Sequence, residues 1–544
     1  MTTSKEYDAL NRLTAIASHP GGTPSPASVS FTYTYNAANQ RIRRTESDAS
    51  YRSYQYDALR QVISGKKYWS DGTPVAGQQF EYAFDHIGNR RTNKFGGDGN
   101  GGNLRTALYS ANNLNQYTSR TVPGYVNVLG EATDTASVSV NTNLAYRKDR
   151  YFRAELSVDN TAGPVWLGIT NLAVMPVGGG NYVVSNVTGH GFVPRTPEAL
   201  TYDADGNLTQ DRRWIYTWDG ENRQVKVESR TTTPLASRRK VEWQYDALGR
   251  RIRQITSDGS SGTWQVTEDL KFVSDPVLFG RHLAELNATN NALVRGYVWG
   301  LDLSGGLDGA GGVGGLLAVH DASTLNNQPS THFVCYDGDG NVGALVNAAD
   351  GYETARYEYG PFGEPLRQTG LMALENPFRF STKRTDNTTD LVLYEYRSYS
   401  PDLGRWLSRD PINEPGFQLL TRQVQPFSLQ DENNLYRFAL NDPINKYDPD
   451  GRVVPAAPVI IIIAGSVAIE FGVRIYCFCA YKRGQEAYIR TPTAILAHFS
   501  AVITATIEMY CDGPATVRLH LWKDQKGDCH DELVVICTGK KGGA

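Results

Sequence analysis

Cysteine and histidine, the residues best suited to bind a metal or act as a nucleophile, are concentrated near the C-terminal end of this chain. Of its six cysteines, Cys335 alone precedes residue 470. The remaining cysteines and the nearby histidines are Cys477, Cys479, Cys511, Cys529, Cys537, His498, His520 and His530. Their spacing matches no standard zinc site, so we predict no metal and no other cofactor. Disulfides in an exported tail, or a Cys529 or Cys537 nucleophile beside His530 or His520, are the alternatives for these residues.

A glycine-rich segment contains the pattern of a nucleotide-binding loop. Gly309, Gly311 and Gly314 formally match GxGxxG after a predicted strand. A dinucleotide site needs a helix after the glycines, because the helix N-terminus binds the pyrophosphate. Residues 316–320, Leu-Leu-Ala-Val-His, instead have the pattern of another strand. The segment therefore predicts a tight turn and no nucleotide site.

The elements around these residues are predicted by a repeat. Each copy has an aromatic residue, then Asp or Asn, two further residues, usually Gly or Asn, and an apolar strand start. Clear copies begin at Tyr7, Tyr35, Tyr56, Phe84, Tyr202, Trp218, Tyr245 and Tyr336. The Asp or Asn side chain caps a turn, and the Gly or Asn supplies positive φ. One hairpin is unstable alone, so successive hairpins are expected to pair into a sheet that spirals or closes into a shell.

Composition supports an all-β protein. The 544 residues include 31 Tyr and 53 Gly but only 4 Met, as strands joined by tight turns require. Charged residues make up 20% and the net charge is −3, which argues against disorder and against nucleic acid as a partner. The first residues lack the apolar segment of a secretory signal.

The repeat is interrupted once and then changes character. Residues 119–197 lack it but alternate like strands, which predicts an inserted β-sandwich-like module with carbohydrate as a candidate ligand. The predicted order is YD repeats at 1–118, the module at 119–197, YD repeats at 198–274, a distinct core at 275–451 and a variable tail at 452–544. We expect an α+β or helical tail.

Four segments of the core are far more specific than a single repeat. They read YEYGPFGE from Tyr357, YRSYSPDLGRWLSRDPI from Tyr396, NLYRF from Asn434 and NDPINKYDPDG from Asn441. The chain resembles the RHS/YD-repeat family with its RHS repeat-associated core, which includes bacterial polymorphic toxins, the C component of Tc toxin complexes and the animal teneurins. The resemblance implies a hollow β shell, partial or complete, that in toxin members encloses a C-terminal effector.

The same resemblance implies a self-cleavage site of the aspartyl protease type. Arg409 and Asp410 match the family's Arg-Asp pair, and Asp448 matches the aspartate of its DPxG motif. Two close carboxylates share a proton, so one activates water while the other donates to the peptide, and Arg409 would keep one carboxylate ionised. Cleavage is expected just after Gly451, near residue 453. The chain departs from the family by having Arg452 after that glycine and an extra loop at 414–431, so the alternative is that both aspartates only form turns.

The start of the tail is unusually apolar. Residues 453–469 are uncharged, slightly short of the 20 or so residues that a membrane span requires. A membrane-inserting helix within 453–480 and a hydrophobic cargo segment enclosed by the shell are the two interpretations.

We therefore expect an RHS-type shell that encapsulates or displays its variable tail, as an extracellular or cell-surface, toxin-like protein. Any catalysis in the shell would be one self-cleavage per molecule. Expected partners are the enclosed tail, an immunity protein or a chain that completes the shell. The alternatives are a teneurin-like adhesion protein without proteolysis and a truncated shell fragment that needs a partner chain.

Overall fold

The computed structural model describes residues 1–21, 29–322, 328–411 and 434–452, and beyond them the backbone of five strands. The chain forms two compact units, Met1–Pro455 and Ala456–Ala544. No α-helix occurs among the described residues. They include three short 3-10 helices, Leu235–Ser237, Phe380–Thr382 and Ala439–Asn441. The prediction of an all-β, antiparallel hairpin architecture is confirmed.

Each repeat turn is closed by the side chain that follows the aromatic residue. In the first turn, Asp8 Oδ1 accepts hydrogen bonds from the backbone N–H groups of Leu10 and Arg12, both at 3.0 Å. The N–H of Asn11 donates to the carbonyl of Asp8 at 2.9 Å. Asn11 has φ of 57°, a left-handed conformation that Asn adopts more easily than most residues. The Asp or Asn after the aromatic residue and the Gly or Asn later in the repeat thus specify one turn geometry.

The repeat aromatic residues link neighbouring hairpins. The hydroxyl of Tyr35 donates to the carbonyl of Leu13 at 2.6 Å, and that of Tyr245 donates to the carbonyl of Gln224 at 2.8 Å. Each acceptor is the first residue of the strand that follows the turn of the preceding repeat. The ring therefore packs against the sheet while its polar end satisfies a backbone carbonyl.

The first large sheet contains eleven antiparallel strands in the order β1 to β10 and then β18. Their bounds are β1 Thr2–Tyr7, β2 Leu13–His19, β3 Val29–Tyr35, β4 Arg41–Glu46, β5 Tyr51–Tyr56, β6 Val62–Tyr68, β7 Pro74–Phe84, β8 Arg90–Gly96, β9 Leu104–Ala111, β10 Tyr117–Arg120 and β18 Glu198–Ala199. Burial alternates along strands such as β3, where Val29, Phe31 and Tyr33 are buried.

Two smaller sheets lie between β10 and β18 in the sequence. One has the order β11-β15-β14 and the other β13-β12-β16-β17. Their bounds are β11 Tyr125–Glu131, β12 Ser137–Val140, β13 Asn143–Leu144, β14 Tyr146–Lys148, β15 Tyr151–Ser157, β16 Val165–Gly178 and β17 Asn181–Val193. Val138 and Val140 from one sheet share a core with Phe152 and Leu156 from the other, as in a sandwich.

The second large sheet contains fourteen antiparallel strands in sequence order. Their bounds are β19 Thr201–Tyr202, β20 Leu208–Gln210, β21 Trp214–Trp218, β22 Gln224–Ser229, β23 Arg239–Tyr245, β24 Arg251–Asp258, β25 Gln265–Ser274, β26 His282–Asn287, β27 Leu293–Trp299, β28 Leu316–Asp321, β29 Ser330–Tyr336, β30 Val342–Asn347, β31 Glu353–Tyr359 and β32 Pro365–Thr369.

The segment after β32 fastens the turns of both large sheets. It contains a small antiparallel sheet whose strands are β33 Arg384–Thr385, β34 Val392–Leu393, β35 Ser398–Ser400 and β36 Arg405–Trp406. Arg405 donates to the carbonyl of Asn115 in the first sheet at 2.8 Å, and Tyr436 donates to the carbonyl of Gly206 in the second at 2.8 Å. This segment is thus held rigidly where the repeat turns converge.

The described part of the second unit is a set of strands. A hairpin pairs β37 Ile461–Ile463 with β38 Ser466–Ala468, and a three-stranded sheet has the order β39-β41-β40, with β39 Ala487–Ile489, β40 Ala515–Lys523 and β41 Cys529–Cys537. Where an apolar helix was expected after residue 453, the described backbone is extended. Among the residues described, no helix has the length and apolarity to span a membrane.

Candidate functional site

The structure brings Asp410 and Asp448 together around a third residue, Arg397. One terminal nitrogen of the guanidinium, Nη2, lies 2.9 Å from Asp410 Oδ2 and 3.4 Å from Asp448 Oδ2. All three are buried, with Asp410 6%, Asp448 0% and Arg397 3% exposed. Two carboxylates therefore share one cation inside the unit, away from water.

The hairpin β35–β36 and the residues beside it position Arg397 and Asp410. Arg397 directly precedes β35, and its guanidinium lies over the ring of Trp406 on β36, 4.1 Å from the ring centre. Asp410 follows β36, and its backbone N–H donates to the carbonyl of Leu435 at 3.1 Å. The hairpin β35–β36 thus places the arginine beside the aspartate, and the stacking fixes its orientation.

Asp448 organises a tight turn through its other oxygen. Its Oδ1 accepts hydrogen bonds from the N–H groups of Gly451 at 2.7 Å, Asp450 at 3.2 Å and Arg452 at 3.3 Å. Gly451 has φ of 91°, and a Cβ there would lie 3.1 Å from the Cβ of Tyr394. Both the conformation and the space therefore require glycine at this position.

The peptide bond between Gly451 and Arg452 is contacted at both ends by the site. Its carbonyl oxygen accepts a hydrogen bond from Arg397 Nε, while its N–H faces Asp448 Oδ1. A donor on the carbonyl oxygen and a carboxyl group near the amide nitrogen are what peptide hydrolysis requires. This is the chemistry that the arrangement can perform.

Burial raises the pKa of Asp448 to about 6, although the charge of Arg397 and the backbone N–H groups act in the opposite direction. A carboxylic acid with a pKa near 6 is partly protonated at neutral pH. Asp448 can therefore serve as a proton donor there.

Arg409 contacts a repeat turn, and its predicted role beside the two aspartates stays a prediction. Its Nε donates to the carbonyl of Asp205 at 2.7 Å, in a repeat turn of the second sheet. Arg397 is the cation that contacts both carboxylates. The sequence analysis missed it, although it lies in the same core motif as Asp410, because only the β35–β36 hairpin brings the two together.

Arg452, the departure from the family pattern, is held by the shell. Its Nη2 lies 2.6 Å from Asp450 Oδ2, and its guanidinium lies 3.9 Å from the ring centre of Tyr396. The chain is thus anchored directly after Gly451.

The glycine-rich segment packs against this turn. A Cβ at Gly311 would lie 2.0 Å from the carbonyl oxygen of Pro449, so the close packing of the two segments requires glycine. The carbonyl of Gly311 accepts a hydrogen bond from Lys383 at 2.8 Å. Residues Leu316–Asp321 form β28, as the sequence pattern predicted.

The metal and thiol candidates lie elsewhere. Cys477, Cys479, Cys511 and His498 are outside the described residues, as is the loop at 414–431. For Cys529, Cys537, His520 and His530 the structure describes only the backbone of β40 and β41. Among described side chains, no cluster of His, Cys, Asp or Glu could hold a metal ion.

Known proteins with similar sequences are large repeat proteins. Residues 322–444 match the family described as Teneurin YD-shell. The chain is 26% identical over 275 residues to the tRNA3(Ser)-specific nuclease WapA of Bacillus spizizenii, covering 50% of this chain and 10% of that protein. It is 26% identical over 452 residues to Toxin subunit YenC2 of Yersinia entomophaga, covering 77% of this chain and 42% of that protein. The chain thus spans less than half the length of either relative.

Among solved structures, the complex TcdB2-TccC3-Cdc42 aligns with a TM-score of 0.37 and 18% identity, over 83% of this chain and 20% of that chain. The match to the Teneurin YD-shell family and the similarity to Toxin subunit YenC2 confirm the resemblance to RHS/YD-repeat shell proteins that the repeat and the core motifs indicated.

Proposed function

We propose that this chain is a toxin-type RHS shell that releases its C-terminal region by hydrolysing the peptide bond between Gly451 and Arg452. The single observation that carries the proposal is the buried pair Asp410 and Asp448, joined by Arg397 around that bond. Similarity to a WapA nuclease and to Toxin subunit YenC2 supports a toxin-like role.

The proposed reaction consumes one water and uses each residue once. Asp410 takes a proton from water, whose oxygen attacks the carbonyl carbon of Gly451. The negative charge on the carbonyl oxygen is stabilised by Arg397 Nε. Asp448 gives its proton to the nitrogen of Arg452 as the C–N bond breaks, which leaves a free amine and the carboxylic acid of Gly451. That acid then returns a proton to Asp448 and becomes a carboxylate.

In this proposal the tail is the shell's cargo, and the protein acts outside the cell that makes it. Its target would be set by the 93 residues from Arg452 onward. An immunity protein would bind that region, and a second chain would complete the shell. In this proposal, residues 453–480 are the segment that would contact a membrane after release.

Denaturing electrophoresis of the purified full-length chain tests the cleavage. We expect two bands from the wild type and a single intact band from Asp410→Asn and from Asp448→Asn. Asp450→Asn is the matched control, because Asp450 lies in the same turn but its carboxylate contacts Arg452 rather than Arg397. It should still give two bands, and mass spectrometry should find Arg452 as the new N-terminus. A wild type that stays intact while its circular dichroism shows folded strands would refute the proposal.

Display without cleavage is the second candidate function. The anchoring of Arg452 by Asp450 and Tyr396 favours it, because these contacts hold the uncut chain on the shell. The inserted module would then carry binding through its long hairpin β16–β17, where Tyr182, Val183 and Val187 are more than half exposed. Binding of the intact chain to immobilised polysaccharides, lost with Tyr182→Ser, would support it.

A further inference from the structure

A cavity on the second sheet contains more basic than acidic groups. It lies where the turns before β24, β26 and β28 meet the segment around Lys383. Its volume is about 40 Å³, several times the ~10–15 Å³ that one water occupies on the same measure. It therefore has room for a group of several heavy atoms.

Arg281 is the residue that makes this cavity unusual. It is 2% exposed, and its Nη1 donates to the carbonyl of Gly300 at 3.3 Å. Over the described ranges of the chain, neither its Nε nor its Nη2 has a hydrogen-bond partner. Its guanidinium lies 5.4 Å from the centre of the Trp299 ring, and its charge acts on the carboxylates of Asp275 and Asp308. None of these groups hydrogen-bonds Nε or Nη2. Burying guanidinium N–H groups without an acceptor is costly, so a buried arginine of this kind indicates a ligand that accepts their hydrogen bonds.

The other charged groups of the wall do not supply that anion. Glu395 is paired with Lys383, whose Nζ lies 2.8 Å and 2.9 Å from its two carboxylate oxygens. Arg384 is bound to Glu285 through Nη1, and its Nε has no partner among the described residues. Arg251 donates to the carbonyl of Tyr394 at 2.6 Å. The acid in the wall is thus already matched, and positive charge remains.

We propose that this cavity binds a small tetrahedral oxyanion, either inorganic phosphate or the phosphate group of a small metabolite. The planar guanidinium of Arg281 would bind two of its oxygens, a geometry that arginine favours with phosphate. The site is separate from Asp410 and Asp448 and does not depend on cleavage. Because Gly311 lines the cavity and packs on Pro449, the bound anion holds the glycine-rich segment against the Asp448 turn.

Isothermal titration calorimetry with the full-length chain tests the site, with inorganic phosphate as the probe and chloride and acetate at equal ionic strength as comparisons. The wild type should bind phosphate at one site per chain, and chloride and acetate at least tenfold more weakly. Arg281→Met should lose the binding. Arg356→Gln, which removes a partly buried arginine paired with Glu353, should keep it.

A second pair of variants avoids the buried position. Ser274 lines the cavity and is only partly buried, so Ser274→Asp introduces a competing carboxylate while Ser274→Asn keeps the same size without charge. Phosphate binding should be lost in the first variant and kept in the second. Equal binding by both variants, or equal affinity for acetate and phosphate, would overturn the proposal. Ribose 5-phosphate, if it binds more than tenfold tighter than inorganic phosphate, identifies a metabolite as the source.

Discussion

Two buried clusters of arginine and carboxylate in the first unit differ in how many arginines contact each acid. In one, Glu285 contacts two cations, with Arg295 Nη1 at 2.8 Å and Arg384 bound as well, and it accepts a hydrogen bond from Tyr297 at 2.7 Å. In the other, Arg397 contacts the two carboxylates of Asp410 and Asp448. In the first cluster one carboxylate thus contacts two arginines, whereas in the second one arginine contacts two carboxylates.

The pKa of each acid follows the number of arginines that contact it. The two arginines overcome the effect of burial at Glu285 and lower its pKa to about 2. At Asp448 burial prevails over the shared Arg397 and raises the pKa to about 6. A permanently ionised acid can only hold the fold together, whereas an acid that titrates near neutrality can transfer a proton. The comparison therefore supports a structural role for the first cluster and the proton transfer that we propose for the second.

Removing the shared cation should have the largest effect. Arg397→Met takes away the donor to the Gly451 carbonyl, so we expect cleavage to slow by roughly 10²–10³-fold. It also removes the cation that two buried carboxylates share, which should reduce the free energy of unfolding by about 3–5 kcal/mol. Band intensities over time measure the first effect and chemical denaturation the second. Arg405→Lys, in the neighbouring β36, is a control that should leave cleavage within a fewfold of wild type. Cleavage at the wild-type rate in Arg397→Met would end the distinction between the clusters.

Neutralising the acid of the other cluster should affect stability alone. Glu285→Gln removes the carboxylate that Arg295 and Arg384 share and leaves Arg295 with Glu375 as its ion-pair partner, and we expect it to reduce the free energy of unfolding by about 3–5 kcal/mol. The rate of self-cleavage should not change, because Glu285 has no contact with the Gly451 turn. Denaturation curves and cleavage time courses on the same preparation make the test. A cleavage rate that falls in parallel with stability would show that the two clusters are not independent.

The repeat turns and these two clusters differ in how well they could be predicted from the sequence. The repeat turns were predictable because each is local: Asp8, two N–H groups and Asn11 lie within five residues. Asp410 and Asp448 were predictable because their motifs are distinctive. Arg397, Glu285 and Arg281 were not, because strand pairing and chain packing decide which groups surround each of them. Arg409 was named because it matches the Arg-Asp pair of the family that the chain resembles, and such a match does not by itself identify side-chain contacts.

The pH dependence of stability should have opposite signs at the two clusters. Glu285, with its pKa lowered, contributes stability that is present above its unfolded pKa of 4.5 and is lost as the pH falls towards about 2. Asp448, with its pKa raised, contributes stability that is present below 3.8 and is lost as the pH rises through about 6. Each shift corresponds to about 3 kcal/mol.

Difference measurements isolate these two contributions from all other titrating groups. The deficit of Glu285→Gln relative to wild type should shrink as the pH is lowered below 4.5, whereas Asp448→Asn should gain on wild type between pH 4 and pH 6. Denaturation at four or five pH values covers both ranges. If the stability difference from wild type changes with pH in the same direction for both variants, the opposite pKa shifts of Glu285 and Asp448 are contradicted.

The smallest expected effect concerns the hydroxyl that supports Glu285. Tyr297→Phe removes a hydrogen bond to a buried carboxylate, and Tyr359→Phe in the same sheet removes one to the neutral carbonyl of Val342 at 2.9 Å. Both rings are buried, with 6% and 9% exposure, so burial alone predicts equal losses. A bond to a charged acceptor is worth about 1.5–3 kcal/mol and a neutral one about 1 kcal/mol. Denaturation should therefore find Tyr297→Phe the more destabilised of the two. Equal losses would mean that Arg295 and Arg384 already saturate the carboxylate, and the tyrosine would then be a packing residue like the other aromatic residues of the repeat.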